Sequence, residues 1–87
     1  MQPDPESEDK DFDRPVLVNA QAGRVAVASV RQAYDLLADV DWPAERGDRH
    51  RDAVETCLKV LDGHRAASDA REAFIAAARA GSVLADR

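Results

Sequence analysis

The sequence predicts an α+β fold: a two-stranded antiparallel β-hairpin followed by three α-helices packed on one of its faces. Three observations predict it. Two short β-branched runs, Val16-Leu17-Val18 and Arg24-Val25-Ala26-Val27-Ala28, flank a stretch that ends in Gly23. Three later segments space their apolar residues three and four apart, the period of a helix with one buried face. Breaking or capping residues bound these segments: Ser29 and Pro43 around the first, Gly63 after the second and Gly81 after the third.

The hairpin register follows from burial. Side chains on one strand face recur every two residues, so Val16 and Val18 share a face, as do Val25 and Val27. Pairing Val18 with Val25 and Val16 with Val27 puts all four on the same side and leaves Ala20-Gln21-Ala22-Gly23 as a four-residue loop, with Gly23 supplying a positive φ. A slip of one residue would turn one strand's valines to water. Two strands alone are marginal, so this face requires a helical cover.

Ser29 reads as the N-cap of the first helix, with Ser29-Val30-Arg31-Gln32 fitting a capping box. Val30, Ala33, Tyr34, Leu37 and Val40 form its apolar stripe over about three turns, and Pro43 stops it. The second helix is expected from Asp48 to Asp62, with Ala53, Val54, Cys57, Leu58 and Leu61 inward and Gly63 just past its end. Ser68 or Asp69 opens the third, which carries Ala70, Ala73, Phe74, Ala77 and Ala78 to Gly81. Val83-Leu84 either folds back over this end or extends as a short strand.

Charge divides the chain. Residues 1–13 hold six acids, Asp4, Glu6, Glu8, Asp9, Asp11 and Asp13, against one base, Lys10, so the whole net charge of −5 belongs to this stretch. The other 74 residues hold eleven acids and eleven bases and are electroneutral. The expected organisation is a disordered acidic tail over 1–13, one domain over 14–83 and a C-terminal tail over 84–87. An acidic arm of this kind either solubilises the protein, or mimics nucleic acid or occupies a basic groove on a partner. With no apolar leader, a longest apolar run of only six residues (Ala73–Ala78) and a single Cys, the chain reads as soluble and cytoplasmic, with no membrane partner.

The order Phe12…Pro15-Val16-x-Val18, Trp42-Pro43…Gly47, Ala53…Cys57, Gly63 and Ala70-Arg71-x-x-Phe74…Gly81 resembles the small bacterial family called domain of unknown function 982. The similarity spans roughly residues 12–83. It implies a compact fold of under 100 residues and carries no activity, cofactor or catalytic residue with it.

The residues themselves give no enzyme signature, and catalytic, cofactor-binding and metal-binding residues are each read as none. His50, Cys57 and His64 recur every seven positions. Seven helical residues rise ~10 Å, too far for ligands of one zinc ion. Cys57 lies mid-helix on the apolar stripe, where a thiol is a small hydrophobe rather than a nucleophile. The one charge anomaly is Arg46, Arg49, His50 and Arg51 at the start of the second helix, where cations oppose the macrodipole. These four are candidate anion or partner contacts. Trp42 either caps the core or, if exposed, anchors an interface. By elimination the leading function is a non-enzymatic protein-interaction or regulatory module with an unknown protein partner or a second copy of itself, a homodimer burying the hairpin edge or the Ala-rich helix face. Two alternatives stand beside it. One is a nucleic-acid-associated regulator using Arg46, Arg49 and Arg51, disfavoured because the body lacks a basic stripe. The other is a small ligand-binding protein or enzyme with a pocket near Trp42, Tyr34 or His64.

Overall fold

The computed structural model describes residues 10–20, 23–39, 42 and 46–85. Its elements run β1 (Asp11–Ala20), β2 (Gly23–Ser29), α1 (Val30–Ala38), α2 (Asp48–Leu61) and α3 (Ala67–Ala80). This is the hairpin-plus-three-helix α+β fold read from the sequence. The strands are antiparallel, with Val18 opposite Val25 and Val16 opposite Val27. Val16, Val18 and Val27 are 3 %, 0 % and 0 % exposed, so the valine face is the roofed one. Pairing continues to Asn19–Arg24 and Ala20–Gly23, which shortens the expected four-residue loop to the two residues 21–22, outside the described set. Gly23 takes the anticipated positive φ, +119°.

Both expected domain boundaries move outward. Residues 11–13, assigned above to the acidic tail, belong to β1, and Phe12 is buried in the core. Between the Asp11–Ser29 and Val16–Val27 pairs, four residues of β1 face the single Ala28, and Pro15, which has no N–H to offer a ladder, falls inside this irregular stretch. At the other end Leu84 bridges Val18. The Asn19 N–H donates to the Val83 carbonyl at 2.7 Å and the Ala85 N–H donates to the Leu17 carbonyl at 2.8 Å. Residues 83–85 thus cover the outer edge of β1, the short-strand outcome. Residues 1–9 and 86–87 lie outside the described set.

The opposite edge, that of β2, is blunted by one side chain. The Gln32 carboxamide accepts from the Ala28 N–H at 2.9 Å and donates to the Ala26 carbonyl at 3.1 Å, in the manner of a neighbouring strand's peptide group. Its backbone N–H donates to the Ser29 hydroxyl at 3.2 Å, completing the cap. The expected capping box is therefore changed in one respect. The glutamine serves Ala28 because Ser29 is still part of the ladder, opposite Asp11. Helix α1 is shorter than expected. Asp39 turns extended (φ −67°, ψ 138°), and its carbonyl accepts from the Trp42 N–H at 3.0 Å. Val40 and Pro43, given roles in this helix above, lie outside the described residues.

Helix α2 is rotated relative to the sequence expectation. Its buried residues are His50, Ala53, Thr56, Cys57 and Val60, while Val54 and Leu61 are half-buried and Leu58 is 42 % exposed. Hydropathy alone marks His50 and Thr56 as outward-facing. Each is instead buried with its polar atom satisfied, Thr56 by donating its hydroxyl hydrogen to the Asp52 carbonyl at 2.8 Å. The end of α2 is a Schellman turn. The His64 N–H donates to the Lys59 carbonyl at 2.7 Å, the Gly63 N–H to the Val60 carbonyl at 2.9 Å, and Gly63 has φ +86°. Helix α3 buries Ala70, Phe74, Ala77 and Ala78 as read. Its first turn is held by Asp69, whose carboxylate accepts from the Ala66 N–H and from Arg65. The same C-terminal turn closes it, Val83 N–H to Ala78 carbonyl at 2.8 Å, but the left-handed position falls on Ser82 (φ 60°) and Gly81 sits one residue early.

That offset generates a test. A serine in the left-handed region carries a Cβ clash that glycine lacks. Ser82→Gly is expected to raise the free energy of unfolding by roughly 0.5–1 kcal/mol. Gly63→Ala, with open space around the added Cβ, should lower it by about 1 kcal/mol through backbone conformation alone. Urea midpoints at unchanged m-value check both.

Candidate functional site

The cationic cluster at the start of α2 does not converge. Arg46 donates from its guanidinium to the Asp39 carbonyl just past α1, where a cation meets the negative end of a helix. His50 is 8 % exposed, and its Nε2 donates to the Leu37 carbonyl at 2.7 Å, in the last turn of the same helix. This corrects the reading of His50 as a surface contact: it is a core residue that satisfies an orphan carbonyl. Arg49 and Arg51 remain exposed, but two helical positions differ by about 200° around the axis, so they face apart. Arg49 and His50 line a shallow depression of about 330 Å³ with Gly47, Ala77 and Gly81. Asp48 lines the same depression, so an acid stands beside Arg49 there.

Trp42 is 6 % exposed, its ring centroid 5.6 Å from that of His50 and 6.2 Å from that of Phe74. An interface anchor needs an accessible ring, so Trp42 is corrected from that role to the core-capping one. Its indole N–H has no hydrogen-bond partner among the described residues. Trp42, His50 and Phe74 thus tie the α1–α2 connection, the start of α2 and the middle of α3 into one aromatic contact.

Cys57 is fully buried, and burial pushes its thiol up to about 11. A thiol held protonated away from solvent is neither a nucleophile nor a metal ligand. His64 is exposed beyond the turn that ends α2. Among the described residues no group of three or more His, Cys, Asp or Glu could hold a metal ion. No helix among them is long and apolar enough to cross a membrane.

A different set of arginines does converge. Arg71, Ile75 and Arg79 recur every four residues along one ridge of α3 and face Arg14 and Leu17 of β1 across an open groove of about 340 Å³ that Leu84 also lines. The Arg71 Nε donates to the Arg14 carbonyl at 3.0 Å, which fixes one guanidinium beside the strand. None of the three arginines has a carboxylate partner among the described residues, and no acid lines the groove. The one ion pair among the described residues, Arg65 to Asp69 at 3.1 Å, lies outside the groove at the start of α3 and holds the Asp69 carboxyl below its ordinary range. Sequence reading missed this site because Arg14 and Arg79 lie 65 positions apart. The i, i+4, i+8 spacing of Arg71, Ile75 and Arg79 was its one local signal.

Comparison with known proteins adds a family and a fold. A family model described as "Protein of unknown function (DUF982)" matches residues 14–85. The NMR structure of Agrobacterium tumefaciens protein Atu1219 is similar at a TM-score of 0.73 and 34 % identity, over 91 % of this chain and 79 % of that one. No curated protein matches the chain.

Two measurements test the buried groups. His50→Ala orphans the Leu37 carbonyl and removes the ring from Trp42, so a loss of roughly 2–4 kcal/mol is expected in urea unfolding. The unfolded thiol of Cys57 ionises near 9.0 while the folded one keeps its proton to about 11. Unfolding therefore releases a proton in that interval, and stability falls as pH rises through it. Cys57→Ala should lack that component of the slope, which paired denaturation series from pH 8 to 11 will read.

Proposed function

The chain belongs to the family described as protein of unknown function (DUF982), and on that footing we propose that it is a non-enzymatic protein-interaction module that docks acidic, apolar-containing segments in the groove between β1 and α3. The single observation that carries this is the meeting of Arg14, Arg71 and Arg79 over an apolar floor without a carboxylate among them. Guanidinium groups present planar donor forks to carboxylates, and an apolar floor between them rewards a side chain such as Leu in the partner. Against catalysis stand the positions of His50 and Cys57, both buried within the core.

Of the surfaces that the sequence offered for self-association, Ala77 faces the core while Ala73 and Gly81 are half-buried, and the outward Ala26 and Ala28 backbone groups of β2 are met by Gln32. The arginines nominated for nucleic acid, Arg46, Arg49 and Arg51, share no face. A basic pair in the groove remains open to phosphates, so the test includes an oligonucleotide.

The experiment is fluorescence anisotropy on the full chain with three probes of equal length: a Glu/Leu decapeptide, a Lys/Leu decapeptide and a single-stranded oligonucleotide. The acidic peptide is expected to bind alone, more weakly as salt rises through the range where screening is effective. Arg14→Gln with Arg79→Gln should weaken it at least tenfold while leaving the urea midpoint unchanged, because neither side chain is buried. Equal affinity in the double variant, or preference for the oligonucleotide, overturns the reading.

A further inference from the structure

The rotation of α2 leaves an apolar ridge on its outer side. Leu58, 42 % open to solvent, is the one exposed large hydrophobic among the described residues, and Val54 and Leu61, a turn to either side of it, are half-buried. We propose that two copies of the chain meet on this ridge, with their α2 helices packed antiparallel about a two-fold axis close to Leu58.

Helical geometry gives the ridge two unlike flanks. Measured around the axis from Val54, Leu61 lies ~20° to one side and Leu58 ~40° to the other, while Arg51, Glu55, Lys59 and Asp62 follow from ~60° to ~140°. One flank is therefore apolar and the other charged, with Leu58 between them. All four charged side chains are exposed, and none of them forms an ion pair among the described residues.

The order of signs identifies the occupant. Along the helix Arg51, Glu55, Lys59 and Asp62 alternate positive, negative, positive, negative. An antiparallel two-fold pair sets each flank against the same flank of the second copy, reversed in direction. Arg51 of one copy then faces Asp62 of the other and Glu55 faces Lys59, each twice, so every facing pair is opposite in sign. The same reversal brings Val54 opposite Leu61 on the apolar flank and the two Leu58 side chains together near the axis. A parallel pair instead lays the charged flank of one helix over the apolar flank of the other, which strips water from charges without pairing them.

The apolar contact supplies the attraction and the charges supply its direction. Exposed ion pairs add little to affinity, whereas like charges held in register oppose docking. Two helices of 14 residues meeting along one ridge fall in the class below ~1,200 Å² of buried surface, where association is reversible. None of the ridge residues lines the groove between β1 and α3, so the dimer leaves that groove open in both copies and stands independently of what the groove binds.

Sedimentation equilibrium on the full chain, from micromolar to millimolar concentration, provides the test. The weight-average mass is expected to rise toward twice the 9.5 kDa of the monomer. Leu58→Glu should weaken association at least tenfold with the urea midpoint nearly unchanged, because the leucine already stands open to water. Glu55→Lys and Lys59→Glu each set like charges in register, so each variant alone should be monomeric. An equimolar mixture of those two should dimerise again, because every facing pair is then opposite in sign. A natural chain that stays monomeric overturns the proposal, and so does association that Leu58→Glu leaves intact, which places the contact on another surface. Charge variants that self-associate as the natural chain does, or a mixture of them that stays monomeric, overturn the antiparallel arrangement and with it the choice of a second copy as the occupant.

Discussion

A two-stranded ribbon has no interior of its own, and that constraint shapes the rest of the molecule. Val16, Val18 and Val27 reach near-complete burial because α3 lies against β1, α1 against β2, and α2 packs on both helices. A single roofed face in so short a chain forces the helices to be brief and their ends to meet one another. Helix ends carry unsatisfied backbone groups, so much of the chain's polar chemistry goes to terminating helices. Gln32 serves a cap and a sheet edge at once, and the last turns of α2 and α3 close with the same pair of backbone hydrogen bonds.

The same requirement explains why the residues that look most functional are structural. Arg46 and His50 form half of the conspicuous cationic cluster, and both donate to carbonyls at the end of α1. His50 joins that carbonyl to the Trp42 ring and, through it, to Phe74, so the start of α2 is held to its neighbours by directional contacts. Thr56 and Cys57 fill the same buried face. Arg14, Arg71 and Arg79 belong to none of these contacts and meet where α3 runs beside β1.

Arg14, Arg71 and Arg79 are brought together only by the packing of α3 against the hairpin. The apolar floor between them separates a groove for peptide-like partners from a purely electrostatic surface.

The hairpin register, the helix order and the glycine turn after α2 were determined by the sequence itself, because each depends on short-range periodicity or on one residue's backbone preference. Val16, Val18, Val27 and Gly63 could be placed without knowing what covered them. The rotation of α2, the burial of His50 and Trp42, the recruitment of residues 83–85 to the β1 edge and the gathering of the three arginines were decided only by tertiary structure. Each of these depends on a partner distant in sequence: a carbonyl thirteen residues away for His50, a strand 57 residues away for Arg71. Hydropathy scores a side chain by its own affinity for water, and a distant hydrogen-bond acceptor that makes burial favourable leaves no trace in that local pattern.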